Sequence, residues 1–184
     1  MHRRLVFVAA AAAVGLASGC GDDDGGTSVP APSTSQRITV SSTAFADGAT
    51  IPRRYTCDGE NVSPPLDFSG VPSAATTLVV LAEDPDAPHG TFTHWLVWNA
   101  DASRTRWAAG QVPQGAVQGR NGFQQTGYGG PCPPKGGAPH HYVFTVYAAD
   151  RTLSLSPDAS PEDLKRALTG HAPASGTLTG RYGR

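Results

Sequence analysis

Basic side chains are scarce in this chain: two Lys and twelve Arg stand against fifteen acids in 184 residues, a formal net charge of −1. Nucleic-acid binding needs clustered positive charge facing phosphates, so that class of partner is set aside. No Cys-x-x-Cys spacing occurs, which argues against a zinc ribbon or a thioredoxin-type redox site. HExxH, GxSxG and Walker loops are missing too, and no nucleophile stands beside an obvious base. With 22 Gly and 16 Pro, there is little room for the long helices of a bundle or coiled coil. Together they are still rarer than the roughly 25–30% of low-complexity sequences, so disorder throughout is not expected. The longest apolar run, Leu5–Leu16, is about a dozen residues, short for a bilayer-spanning helix.

That run has another use. Met1-His2-Arg3-Arg4 is basic, and Ala17-Ser18-Gly19 places small residues directly before Cys20, the layout of a secretory signal. Its junction resembles a bacterial lipoprotein box, with Ala17 where Leu is usual. The resemblance implies cleavage of a signal peptide, 1–19, and a lipid on Cys20; an ordinary signal ending near a cysteine is the alternative. The protein is then exported and lipid-anchored to the cell envelope, on its periplasmic or extracellular face. Segment 20–36, rich in Gly, Ser, Pro and Asp, buries too little apolar surface to offset its ordering entropy and reads as a flexible tether. The remaining domain, 37–184, carries twelve charges of each sign, so its function should come from a local site. Cys57 and Cys132 either bridge two Gly/Pro-rich loops or stay apart as thiols; export favours the bridge.

Within the domain the pattern is mostly strand. Thr77–Ala82 is apolar on both alternating faces, as in a strand covered on both sides. Phe92–Asn99 and Tyr142–Ala149 are rich in aromatic and β-branched residues. Arg37–Val40 and Thr177–Tyr182 are shorter candidates. One helix is expected from Pro161, with Ser160 as N-cap, acids in its first turn and Gly170 beyond its end. The stretch 100–139 reads as long loop, and no internal repeat is present.

Polar residues gather at strand ends. In Asp84-Pro85-Asp86-Ala87-Pro88-His89 two prolines stiffen a turn that holds Asp84 and Asp86, either as ligand groups or as caps for backbone N–H groups. Alternation puts His94 on one face with Leu96 and Trp98, where it needs a partner that Asp84 or Asp86 could supply. Gly127 to Gly136 encloses Pro133 and Pro134; its glycines let backbone N–H groups approach an anion, unless it is a plain loop. His140 and Tyr142 then share a strand face, offering an imidazole and a phenol to a phosphate or carboxylate.

Taken in order, DPDAP, HWLV, GPCPPKG and H-x-Y resemble the phosphatidylethanolamine-binding protein family, also called Raf kinase inhibitor proteins, and most of all its bacterial YbhB/YbcL branch. The stretch from Tyr55 to Leu66 and the closing Gly176–Arg184 are similar to that branch as well. The resemblance spans about 37–184. It implies a mainly β fold, a β-sandwich of antiparallel sheets with one or two short helices and long loops around a small anion pocket. Asp84, Asp86, His94, Pro133, Pro134, His140 and Tyr142 would form that pocket. Its ligand would be a small anion or zwitterion, a phosphate or phosphoethanolamine-like head group, with no cofactor, no metal and no catalysis. Absence of the additional C-terminal helix of eukaryotic members and a short gap before His94 both weigh against kinase regulation. Inhibition of a protease- or kinase-type partner, or a metal-dependent or acid/base hydrolase, are the alternative readings; a homodimer is left open. Two aspartates in an anion pocket repel the ligand unless protons intervene, so binding should tighten as pH falls through the histidine range, about 6.5.

Overall fold

The computed structural model describes residues 29–184; the expected signal peptide, 1–19, and Cys20 lie outside them. Its elements run β1 (Gln36–Arg37), β2 (Thr39–Ser41), β3 (Leu66–Ser69), β4 (Thr77–Asp84), β5 (Phe92–Asp101), β6 (Arg106–Trp107), β7 (Val117–Gln118), β8 (His140–Ala149), α1 (Pro161–Leu168) and β9 (Ala174–Tyr182), with a short 3-10 turn at Arg53–Tyr55. Six strands form one sheet in the order β1-β9-β8-β4-β5-β7, and three form a second in the order β2-β3-β6. Pairing is antiparallel apart from β1 beside β9. The fold is therefore the expected mainly β, two-sheet architecture with one helix.

The apolar run in β4 follows from cover on both sides of the large sheet. Leu78, Val80 and Ala82 face Phe68, Trp107 and the rest of the core shared with the small sheet. Val79 and Leu81 face Leu164 and Leu168 of α1, together with Leu96 and Trp98. Burying a Leu contributes about 2 kcal/mol, so the helix is held by its apolar stripe more than by propensity. Its start is as expected and better made: Ser160 Oγ accepts the Asp163 N–H at 3.1 Å, and the Asp163 carboxylate accepts the Ser160 N–H at 3.0 Å.

Two expectations change. The single strand at Arg37–Val40 is split at Ile38, a buried residue where the chain passes from one sheet to the other. A Cβ at Gly176 on β9 would lie 1.9 Å from the Ile38 carbonyl oxygen, so only glycine lets the crossing pass that closely. The end of the expected tether is also fastened: Ser35 and Gln36 donate their N–H groups to the Pro173 carbonyl, and Thr34 Oγ1 meets Ser175 Oγ at 2.8 Å. The domain thus begins a few residues before 37.

Candidate functional site

The site forms where β4, β5 and β8 end on the same edge of the large sheet. On β8, alternation aims His140, Tyr142 and Phe144 at one face, and register sets Ala82 against Phe144. Asp84, two residues along β4, therefore reaches the same face. Its Oδ2 accepts a hydrogen bond from His140 Nδ1 at 2.8 Å, while its Oδ1 accepts the Asp86 N–H at 2.9 Å. Asp84 is both a cap for its turn and the partner of an imidazole. Only 5% of its side chain is exposed, against 14% for His140.

His94 is placed by a register shift. Opposite β4, Ala82 pairs with Trp95, Glu83 with Thr93 and Asp84 with Phe92, which leaves His94 as the extra residue. Simple alternation predicts that His94 shares a face with Leu96 and Trp98; the bulge re-aims it. Its ring instead meets Tyr142 edge-on at 5.1 Å and packs on Phe92 and Phe123 at 5.0 and 5.5 Å. Its partner is not an aspartate either: Nδ1 lies 2.7 Å from the Gly129 carbonyl, to which it donates. Burial holds the His94 pKa below the ordinary histidine value, with the Gly129 carbonyl opposing.

The loop 127–136 forms the facing wall. Its glycines are expected as free donors, but their N–H groups are spent inside the protein. Gly129 donates to the His94 carbonyl at 2.9 Å, Gly130 to Asn61 Oδ1 at 2.7 Å and Gly136 to the Arg184 carbonyl at 2.7 Å. The expected backbone anion nest is therefore absent at these glycines. The loop is stitched to 55–61 by Tyr128 Oη donating to the Tyr55 carbonyl, by the Cys57 N–H donating to Pro131, and by a Cys57–Cys132 disulfide with a Cα–Cα distance of 5.4 Å.

Together these elements enclose a cavity of about 280 Å³. Asp84, His94, Pro133, Pro134 and His140 line it, as do Ala87, Pro88, Phe92, Phe123, Cys132 and Arg184. Tyr142 does not; it lies behind His94, 2% exposed, its hydroxyl without a hydrogen-bond partner among the described residues. Burial, then the Asp84 charge, raises its pKa. Asp86 turns away and accepts from the backbone N–H and Nδ1 of His141 at 2.8 and 2.7 Å, bonds that lower its pKa. The site thus presents one acid rather than two, and that acid is paired. Arg184, Phe92 and Phe123 were missed. Phe92 lay inside a strand already recognised for its aromatics, whereas neither Phe123 nor Arg184 carried a local signal. Among the described residues no three His, Cys, Asp or Glu side chains are placed to hold a metal ion.

The depressed His94 pKa has a consequence for folding. In the unfolded chain the ring takes a proton below about pH 6.5, while the folded ring resists it. The unfolded state then holds more protons, so stability is expected to fall as pH drops from about 6.5 towards the folded value. His94→Gln, which cannot titrate, should flatten that part of the curve in denaturant titrations run across the range. An unchanged slope would show that the loss comes from other groups.

A two-sheet β domain with a small, largely apolar-walled pocket, floored by a paired acid and imidazole, is the class these features define. The model of the family described as phosphatidylethanolamine-binding protein matches residues 41–183, and the chain belongs to that family. It is 45% identical over 150 residues to a UPF0098 protein of Pyrococcus horikoshii, covering 78% of this chain and 75% of that one. A Mycobacterium tuberculosis protein named "Putative lipoprotein LppC" is 34% identical over 197 residues, covering 99% and 97%. Among solved structures, Escherichia coli YbcL, described as a new member of the mammalian PEBP family, superposes with a TM-score of 0.75 at 34% identity, covering 80% of this chain and 98% of that one. A Chlamydia trachomatis homologue of the family gives 0.75 at 40% identity, with 82% and 99% covered.

Proposed function

We propose that this protein is an extracytoplasmic, membrane-tethered binding protein, not an enzyme, whose pocket accepts a small anionic or zwitterionic ligand of the phosphate or phospholipid-head-group type. The observation that carries the reading is the Asp84–His140 pair, 2.8 Å apart on the floor of a cavity of about 280 Å³ with mostly apolar walls. Such a floor fixes one polar group while the walls exclude water around it. Non-catalytic binding is supported by what the lining offers: among the described residues no serine, threonine or free thiol faces the cavity, and Asp84 and the His94 Nδ1–H are both occupied. For the tether, support comes from the Cys20 junction and from the Mycobacterium relative, which aligns along almost the whole chain.

Calorimetry tests the reading. Inorganic phosphate, phosphoethanolamine and sulfate would each be titrated at about pH 8 and about pH 5.5, on either side of the ordinary histidine range, since any proton taken up in the pocket draws anions in. Sulfate keeps its charge throughout and reports the protein's own protons. Affinity is expected to rise towards the acid end by about tenfold, one unit charge at a partly screened distance. Vesicles with and without phosphatidylethanolamine separate a lipid head group from the free ion. Affinity that stays flat across the range, or no binding at all, would overturn the proposal.

A further inference from the structure

We propose that Arg184 is the permanent anion anchor of this pocket, the residue that binds an oxygen of the ligand with a charge of its own, independent of the histidines. The inference rests on the reading of the pocket as an anion site and adds a residue to it. Among the lining side chains, Arg184 alone carries a charge that no accessible pH removes. It is held ready. Nε donates to the Pro133 carbonyl at 2.7 Å and Nη1 to Asp58 Oδ1 at 3.2 Å, while Nη2 takes part in neither bond. Asp58 is itself fixed by the Tyr182 hydroxyl at 2.7 Å, and that bond, followed by Arg184, keeps its pKa low. Nη1 also meets Cys57 Sγ at 3.5 Å, so two of the three nitrogens are tied to the rim, Nη2 is left for a ligand, and 27% of the side chain remains exposed. A guanidinium fixed in this way loses little entropy when Nη2 donates to an oxygen of a phosphoryl or carboxylate group. The arrangement also answers the difficulty posed by Asp84: the acid is engaged by the His140 N–H on the floor, and the ligand's charge is met from the wall.

Two variants separate a ligand contact from a clamp on the rim. Arg184→Gln and Arg184→Lys both lose the bond from Nε to Pro133, but only lysine keeps the charge. Inorganic phosphate and phosphoethanolamine would be titrated into the exported domain at about pH 8, with thermal melts of each protein. Arg184→Gln is expected to bind about tenfold more weakly or worse, and Arg184→Lys to stay within about threefold of the parent, with similar melting temperatures for the two. Equal losses in both variants would make Arg184 a rim clamp and overturn the proposal. So would full affinity in Arg184→Gln. Absence of binding in the parent would overturn the anion-site reading and this inference with it, a different result from parental binding that ignores Arg184.

Discussion

His140→Ala is expected to weaken binding of phosphate-type anions by about a hundredfold, and adding Asp84→Asn in the same chain should recover much of that loss. The reason is the charge left behind. Asp84 is 4% exposed and its Oδ2 is met by His140 Nδ1 at 2.8 Å. Without the imidazole, a carboxylate stands unpaired on the cavity floor. At a separation of some 5 Å and an effective dielectric near 20, two negative charges repel by about 3 kcal/mol, which is roughly two decades in affinity. The same loss destabilises the fold, because a buried acid is left with its remaining bond to the Asp86 N–H and without the imidazole donor. Asparagine in place of Asp84 removes the stranded charge, so the double variant should bind better than His140→Ala and melt at a higher temperature. The pattern is a double-mutant cycle with a large coupling term. Additive losses, or parental affinity in His140→Ala, would mean that the ligand does not meet this floor.

Most of the architecture could be read from local patterns, because local physics determined it. The run in β4 is apolar on both faces since the small sheet covers one and α1 the other. The helix announced itself through Ser160, Pro161 and the acids of its first turn. Strands such as Arg106–Trp107 and Val117–Gln118 gave no such signal: at two residues each they owe their conformation to neighbours distant in the chain. The site divides the same way. Asp84, His94, Pro133, Pro134 and His140 are drawn together as the ordered motifs imply. Side-chain direction was legible only where alternation holds, as it does for His140 and Tyr142. It failed at His94, where a bulge inserts one residue, and nothing within Phe92–Asn99 marks that insertion. The pairing of Asp86 with His141 and the arrival of Arg184 at the wall depend on contacts between segments 51 or more positions apart. Periodicity has no access to those.

Replacing both Cys57 and Cys132 with serine is expected to cost about 4 kcal/mol of stability while leaving the fold intact. The two residues are 75 apart in sequence, and closing a loop of that length removes roughly 3–5 kcal/mol of entropy from the unfolded chain. For a domain of about 150 residues this corresponds to a fall of about 12 °C in melting temperature. The native state should survive because the bridge is one stitch among several between the loops. Cys57 still donates to Pro131, Gly130 to Asn61 and Tyr128 to Tyr55 without it. Pocket geometry should therefore change less than stability does. Cys132 lines the cavity and Pro133 follows it, yet Pro133 is also held by Arg184 from the other side. Anion affinity should drop only a few-fold when measured well below the new melting point, as expected when the lost constraint acts mainly on the unfolded chain. Denaturant titrations of the parent with and without reductant, beside the double serine variant, would check both parts. A change below about 1 kcal/mol would mean that the unfolded chain is already confined without the bridge. A collapse of affinity at preserved stability would mean instead that the bridge shapes the rim directly.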